Sequence, residues 1–244
     1  MFKRFFLTFI LFFIGACSPT ASASPADQIA AGIQFYNPML QAAWSGVVID
    51  EVASPYGYEV MALTIIHDEP SARALIPIGA FPMIGNIGAD SEAHSFRVVK
   101  WDPCSEVALV STVINRPTIA SPLAWFSARA GARVTTVGNP LGHGLEYNEG
   151  HVGANGTTSY SCSFAGKPVA LDSYGSGVVP GQTGSAVYRH GGIVGLITAV
   201  ALYPVEVVNQ NGETIGETAV PVSNLGMFVP LSIIKRVLRY SPFL

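Results

Sequence analysis

From Ala42 onward the apolar residues come in short runs and alternations, repeatedly interrupted by Gly, Pro, Asn or Asp. Ser45–Val52, Tyr58–Ile66, Ser95–Trp101, Glu106–Val113, Arg133–Val137, Gly150–Ala154, Tyr160–Phe164, Ser185–Tyr188, Ile193–Ala201 and Gly226–Val229 read as strands, being rich in β-branched and aromatic residues between turn residues. Many short strands at such spacing predict a β-sandwich or β-barrels. Helical periodicity is clearest near the carboxyl terminus. Pro230-Leu231-Ser232 opens a helix that puts Ile233, Ile234, Val237 and Leu238 on one face, with Lys235, Arg236 and Arg239 on a solvated face towards its end. Pro117, Pro122 and Gly131 break any long element between Asn115 and Arg133, which makes that stretch a polar linker between two halves. No internal repeat and no charge run is visible.

Composition adds limits. The chain has 244 residues, 49% hydrophobic and 12% charged, enough for a sizeable core in one domain or a closely packed pair. A net charge of −3 gives no reason to expect nucleic acid as a partner. The body of the chain has no apolar run of about 18 residues, so no membrane-spanning helix is expected there. Residues 1–17 form a targeting segment: Lys3 and Arg4 supply positive charge, Phe5 to Ile14 is a short apolar core, and small residues follow. Ile14-Gly15-Ala16-Cys17 resembles a bacterial lipobox, in which Cys17 is lipidated, and Ala21-Ser22-Ala23 offers a competing cleavage site. The expectation is an exported, membrane-anchored lipoprotein facing the periplasm or cell surface, with a small, polar tether after Cys17. Export permits a disulfide between Cys104 and Cys162, with two buried free thiols as the alternative.

The candidate chemistry centres on Val179-Pro180-Gly181-Gln182-Thr183-Gly184-Ser185-Ala186-Val187. Glycines on both sides of one hydroxyl let the backbone turn sharply and converge its N–H groups, as an oxyanion hole requires. A base candidate, His67, sits in Leu63-Thr64-Ile65-Ile66-His67-Asp68, where an apolar strand gives way to polar residues. An acid candidate, Glu106, sits in Asp102-Pro103-Cys104-Ser105-Glu106-Val107-Ala108-Leu109-Val110; Asp102 reads as a turn residue and Asp68 as a second possible partner for His67. Acyl transfer by a hydroxyl needs these three roles together: nucleophile, base and orienting acid.

These stretches resemble trypsin-like serine peptidases, especially the HtrA/Deg and glutamyl-endopeptidase branches. The loop around Thr183 is similar to their Gly-x-Ser-Gly motif, the His67 stretch to Leu-Thr-Ala-Ala-His, and the Glu106 stretch to Asp-Pro-x-(Thr/Ser)-Asp followed by apolar residues. Ser45-Gly46-Val47-Val48-Ile49 resembles the first strand, Val137-Gly138-Asn139-Pro140-Leu141-Gly142 a Gly-Asn-Pro loop, and Gly226-Met227-Phe228-Val229-Pro230 the last strand. The resemblance implies an all-β fold of two six-stranded antiparallel β-barrels, chymotrypsin/trypsin-like, with a C-terminal helix. Its divisions are 1–17 leader, 18–40 tether and N-terminal segment, 41–118 first barrel, 119–132 linker, and 133–244 second barrel and helix. It implies a trypsin-like endopeptidase with catalytic His67, Glu106 and Thr183, oxyanion donors on Gly181 and Thr183, and substrate contacts at Gly177, Ile197, Thr198 and Ala199. The chain departs from the pattern at two places, threonine for the serine nucleophile and glutamate for the aspartate. The glutamate is longer by one C–C bond, roughly 1.5 Å, and needs backbone compensation. The methyl of Thr183 stiffens its side chain. The alternative is a peptide-binding pseudopeptidase; a hydrogen bond from Thr183 to His67, with Glu106 on the other ring nitrogen, would favour the enzyme.

No acidic residue stands at the expected primary pocket and no histidine at Ile197, so a small or apolar residue is the expected preference, with a peptide or unfolded protein as substrate. Ser185 is expected to point away from the site. His143, Glu146, Glu149 and His151 lack the spacing of a metal motif, so neither metal nor cofactor is expected. His94 and His190 read as surface or turn residues.

Overall fold

The computed structural model describes residues 23–156, 158–161, 168–208 and 214–239. Six strands form a closed barrel in the order β1-β2-β3-β6-β5-β4. They are β1 (Gly32–Asn37), β2 (Ala42–Ser54), β3 (Gly57–Ile65), β4 (Met83–Ile87), β5 (His94–Trp101) and β6 (Val107–Ile114). Closure is made by β1, which pairs antiparallel with β2 on one side and β4 on the other. Two of these strands escaped the sequence pattern. β1 lies within the stretch assigned to the N-terminal segment, and β4 carries Gly85 and Asn86 in five residues. Phe35 explains the glycine. Its ring fills the barrel core against Phe96, centroid to centroid 5.0 Å and edge-on, and Trp44 at 5.7 Å. A Cβ on Gly85 or on Gly46 would stand 2.9 or 2.4 Å from that ring.

The second half is a seven-stranded sheet, order β8-β7-β11-β12-β13-β10-β9, one strand more than expected. Its strands are β7 (Arg133–Gly138), β8 (Glu146–His151), β9 (Thr158–Ser161), β10 (Pro168–Tyr174), β11 (Ala186–Arg189), β12 (Gly192–Val208) and β13 (Thr214–Pro230). The sheet curls on itself. Gly153 N–H bonds Ser173 O, Ser173 N–H bonds Ala154 O, and Gly175 N–H bonds His151 O, each at 2.8–2.9 Å, joining the end of β8 to β10. β9 is the strand left over, paired among the described residues only with β10. β10 was hidden in the sequence by polar residues. Its Asp172 is buried because Asn155 and the Gly156 N–H each donate to its carboxylate at 2.8 Å.

A core of apolar side chains joins the halves: Leu63, Val107 and Leu109 from the first meet Leu196, Val229 and Ile193 from the second. Besides the short helices α1 (Pro25–Ala31) and α2 (Pro70–Leu75), the C-terminal helix α3 (Leu231–Arg239) falls where its periodicity placed it. Ile233, Ile234, Val237 and Leu238 are buried in the shared core. Lys100 of β5 donates to the Val237 carbonyl at 2.5 Å, so a cation from the first barrel meets the negative end of α3. Among the described residues no helix is long and apolar enough to cross a membrane. Cys17 and Cys162 lie outside the described residues; Cys104 is in a disulfide.

Candidate active site

His67 lies two residues past the end of β3. Its Nδ1 lies 2.9 Å from Glu106 Oε2. The carboxylate can only accept, so Nδ1 carries the proton in the neutral ring and Nε2 keeps its lone pair. The Glu106 hydrogen bond holds the His67 pKa above its ordinary value of 6.5, with partial burial opposing it. Glu106 is fixed from two further sides. Its Oε1 accepts the Asp68 N–H at 3.0 Å, and its Oε2 lies 3.4 Å from the Thr198 hydroxyl. Asp68 itself pairs with Arg73, so Glu106 is the carboxylate on His67.

Glu106 stands on an unusual backbone. Glu106 has φ +61°, the left-handed region, which costs a non-glycine residue about 1–2 kcal/mol. The turn before it sets that conformation. The Asp102 carboxylate accepts the Ser105 hydroxyl at 2.6 Å and the Cys104 N–H at 3.2 Å, and Glu106 N–H bonds Asp102 O at 2.7 Å. Glu106 O then accepts Ile66 N–H at 2.9 Å, tying the acid strand to the histidine strand.

Thr198 reaches Glu106 through an irregularity in β12. Ile197 pairs with Phe228 and Ala199 with the next residue, Met227, so Thr198 is the extra residue of a β-bulge, a device that re-aims a side chain. Ile197 itself is buried in the second core, with its N–H on Ser185 O and its carbonyl on Gly184 N–H. Ala199 is exposed, and Gly177 lies exposed in the loop that leads to Gly181. Alternation of apolar residues carries no signal for a bulge, so the role of Thr198 towards Glu106 was not legible in the sequence.

The loop carrying Thr183 turns on Gly181 (φ +91°) and Gly184 (φ +83°). A Cβ would stand 2.3 Å from Asn139 O at the first and 2.0 Å from Ser45 O at the second, so only glycine fits either place. Ser45 of β2 stitches the site together. Its N–H bonds Thr183 O at 2.7 Å, and its hydroxyl donates to Gly181 O and accepts Asn139 N–H, both at 2.8 Å. Leu141 N–H bonds Pro180 O at 2.7 Å, which holds the Gly-Asn-Pro loop against the glycine turn. Among the described residues the N–H groups of Gly181 and Thr183 have no hydrogen-bond partner. Ser185 is 1% exposed, and its Oγ is turned towards Gly138.

His67 and Thr183 line one cavity of about 130 Å³, walled by Ala43, Trp44, Ile65, Ile66 and Phe81. The two isoleucines that replace the alanines of the resembled histidine motif form part of that wall. No hydrogen bond joins Thr183 to His67 among the described residues. Such bonds are often long in free enzymes and tighten with substrate. The arrangement puts a hydroxyl and an imidazole on one cavity, with two unbonded backbone N–H groups in the loop that carries the hydroxyl. Elsewhere, His143, Glu146, Glu149 and His151 do not gather. Among the described residues the one cluster with ligand atoms close together is Asp90, Glu92 and His94, where Arg116 already pairs with Asp90.

A closed six-stranded barrel, a second curled antiparallel sheet and a C-terminal helix, with the candidate residues along their junction, make up the fold of trypsin-like serine proteases. Solved structures of that class are similar to this chain. The HtrA-type protease AlgW with a tripeptide matches with a TM-score of 0.60 and 19% identity over 88% of this chain, which spans 62% of that protein's length. The serine endoprotease from Yersinia pestis matches at 0.58 and 17% over 88% of this chain and 66% of its own. The Rv3671c protease of M. tuberculosis, in an inactive form, matches at 0.62 and 16% over 92% of this chain and 99% of its own. No family description and no curated protein matches the sequence.

Proposed function

We propose that this protein is an exported endopeptidase that hydrolyses peptide bonds with Thr183 as nucleophile. The observation that carries the proposal is the Glu106 carboxylate on Nδ1 of His67, with Thr183 on the same cavity as that ring. His67 Nε2 takes the proton of the Thr183 hydroxyl as its Oγ attacks the peptide carbonyl. Glu106 holds the imidazole in the required tautomer and stabilises the imidazolium that forms. The N–H groups of Gly181 and Thr183 hold the oxyanion, and His67 returns the proton to the leaving amine. Water then attacks the ester on Thr183, with His67 again as base. Gly177, Thr198 and Ala199 mark the side that binds the acyl part of the substrate, with Ile197 behind them, and a small or apolar residue is preferred there. AlgW, solved with a tripeptide, supports a peptide substrate. The protein is held at the envelope through a lipid on Cys17, and Cys104 pairs with Cys162.

The direct test is turnover of an unfolded protein by purified residues 18–244 beside a His67→Ala control. Cleavage by the first and not by the second is expected; equal background in both overturns the proposal. For the anchor, Cys17→Ser is expected to move the protein from the membrane fraction to soluble export, and an unchanged membrane fraction contradicts lipidation.

A further inference from the structure

We propose that the face formed by Trp125, Phe126 and the cations around them is a docking surface for an anionic lipid bilayer. Trp125 and Phe126 are each 84% exposed, on the linker between the two halves. They are presented from a braced backbone. Ala124 N–H bonds Ile193 O and Ile193 N–H bonds Pro122 O, both at 2.9 Å, which straps the linker to the start of β12. From α3, Lys235 donates to the carbonyls of Ala124 and Trp125 at 2.9 and 3.2 Å. Two adjacent bulky aromatic side chains in water form the kind of apolar patch that marks a contact site.

The charge around them indicates what that is. Arg189 and His190 line the hollow beside Trp125 and Phe126, and Lys235, Arg236 and Arg239 line the hollow on the other flank of Trp125. Among the described residues no carboxylate lines either hollow. Arg189, Arg236 and Arg239 make no ion pair among the described residues. The whole chain carries −3, so this face reverses the sign of the protein. Aromatic rings ringed by unpaired cations match the layer where acyl chains meet anionic headgroups.

The first described residues lie at the same place. Ala23 and Pro25 line a hollow with Arg189, His190 and Gly191, the turn that also borders Phe126; Arg133 and Glu149 lie there as well. Cys17 is six residues before Ala23, about 20 Å at full extension. A lipid on Cys17 therefore holds the bilayer within reach of the aromatic pair. Placement of the bilayer on this side rests on the tethered reading of the amino terminus, while the aromatic and basic face stands on its own.

The test uses the three tryptophans. Trp44 is buried, Trp101 is partly buried with its indole N–H on Ile66 O, and Trp125 is the exposed one. The full chain, expressed with its leader, is reconstituted into vesicles of phosphatidylglycerol or of phosphatidylcholine with brominated acyl chains, and tryptophan emission is recorded after sedimentation. Loss of most of the Trp125 emission is expected in phosphatidylglycerol vesicles. That loss is expected to vanish in Trp125→Phe, and to vanish in Arg236→Glu/Arg239→Glu while the chain still sediments. Quenching that is the same in wild type and Trp125→Phe overturns the docking surface. Sedimentation with no quenching also overturns it, leaving the tether intact and pointing to a protein as the partner of this face. A chain that does not sediment with anionic vesicles overturns both. Quenching that persists in Cys17→Ser supports the face and shows that the tether is dispensable for it.

Discussion

Glu106 and His67 are coupled closely enough that one substitution reports on both. Because the carboxylate raises the pKa of His67 above 6.5, the imidazole must lose its proton above that pH to act as a base. Activity is therefore expected to fall as pH drops through the raised value. Glu106→Gln removes the charge, so the acidic limb of the kcat/KM profile is expected to move towards lower pH. Its plateau should fall by on the order of 100- to 10,000-fold. An NMR titration of His67 checks the shift without depending on turnover; an unchanged titration midpoint would mean that Glu106 does not hold the ring in solution. The stability sign is the corresponding one: the pair's contribution is full below the unfolded histidine value and is lost as pH rises through the folded value. The pairing of His67 with Glu106 was expected from the two stretches that carry them. The left-handed backbone at Glu106 was not. It is selected by the Asp102 turn, whose hydrogen bonds exist only once the chain has folded.

The elements around the site show where a period-two pattern succeeds and where it fails. β3 and β6 alternate or run apolar between clear turn residues, and their span was readable. β1 and β4 depend on a ring, Phe35, that needs glycines opposite it, so glycine there marks a strand and not a turn. β10 contains a buried aspartate satisfied by Asn155 and Gly156, in the loop before β9. The Thr198 bulge has no sequence signal at all. The Thr183 loop is the opposite case, because its glycines are dictated by contacts that can be checked. Gly184→Ala would place a methyl 2.0 Å from Ser45 O at φ +83°. Destabilisation by about 2 kcal/mol or more is expected, with loss of activity, measured as a drop in the chemical-denaturation midpoint. An unchanged midpoint would mean that the loop does not turn as described.

At the scale of the whole molecule, the site exists because two separately built halves meet along one apolar seam and a few hydrogen bonds. Ser45 of the first barrel makes the most telling of these, since its hydroxyl spans Gly181 O and Asn139 N–H of the second half. Ser45→Ala leaves both groups without that partner and is expected to cost about 1–3 kcal/mol, with a larger loss in kcat than in KM as the oxyanion donors drift. Calorimetry and steady-state kinetics on the same sample read the two effects. The two-half architecture followed from strand count and linker composition; the closeness of the halves at Thr183 did not, because contacts between residues so far apart leave no local trace. The central claim is that this junction makes the Thr183 hydroxyl a nucleophile. It is tested most directly by rates on one unfolded substrate for wild type, Thr183→Ser, Thr183→Ala and His67→Ala. Thr183→Ser removes the methyl that restricts the side chain and should exceed wild type, while Thr183→Ala should fall to the His67→Ala background. Wild type and all three variants at the same background would contradict the claim.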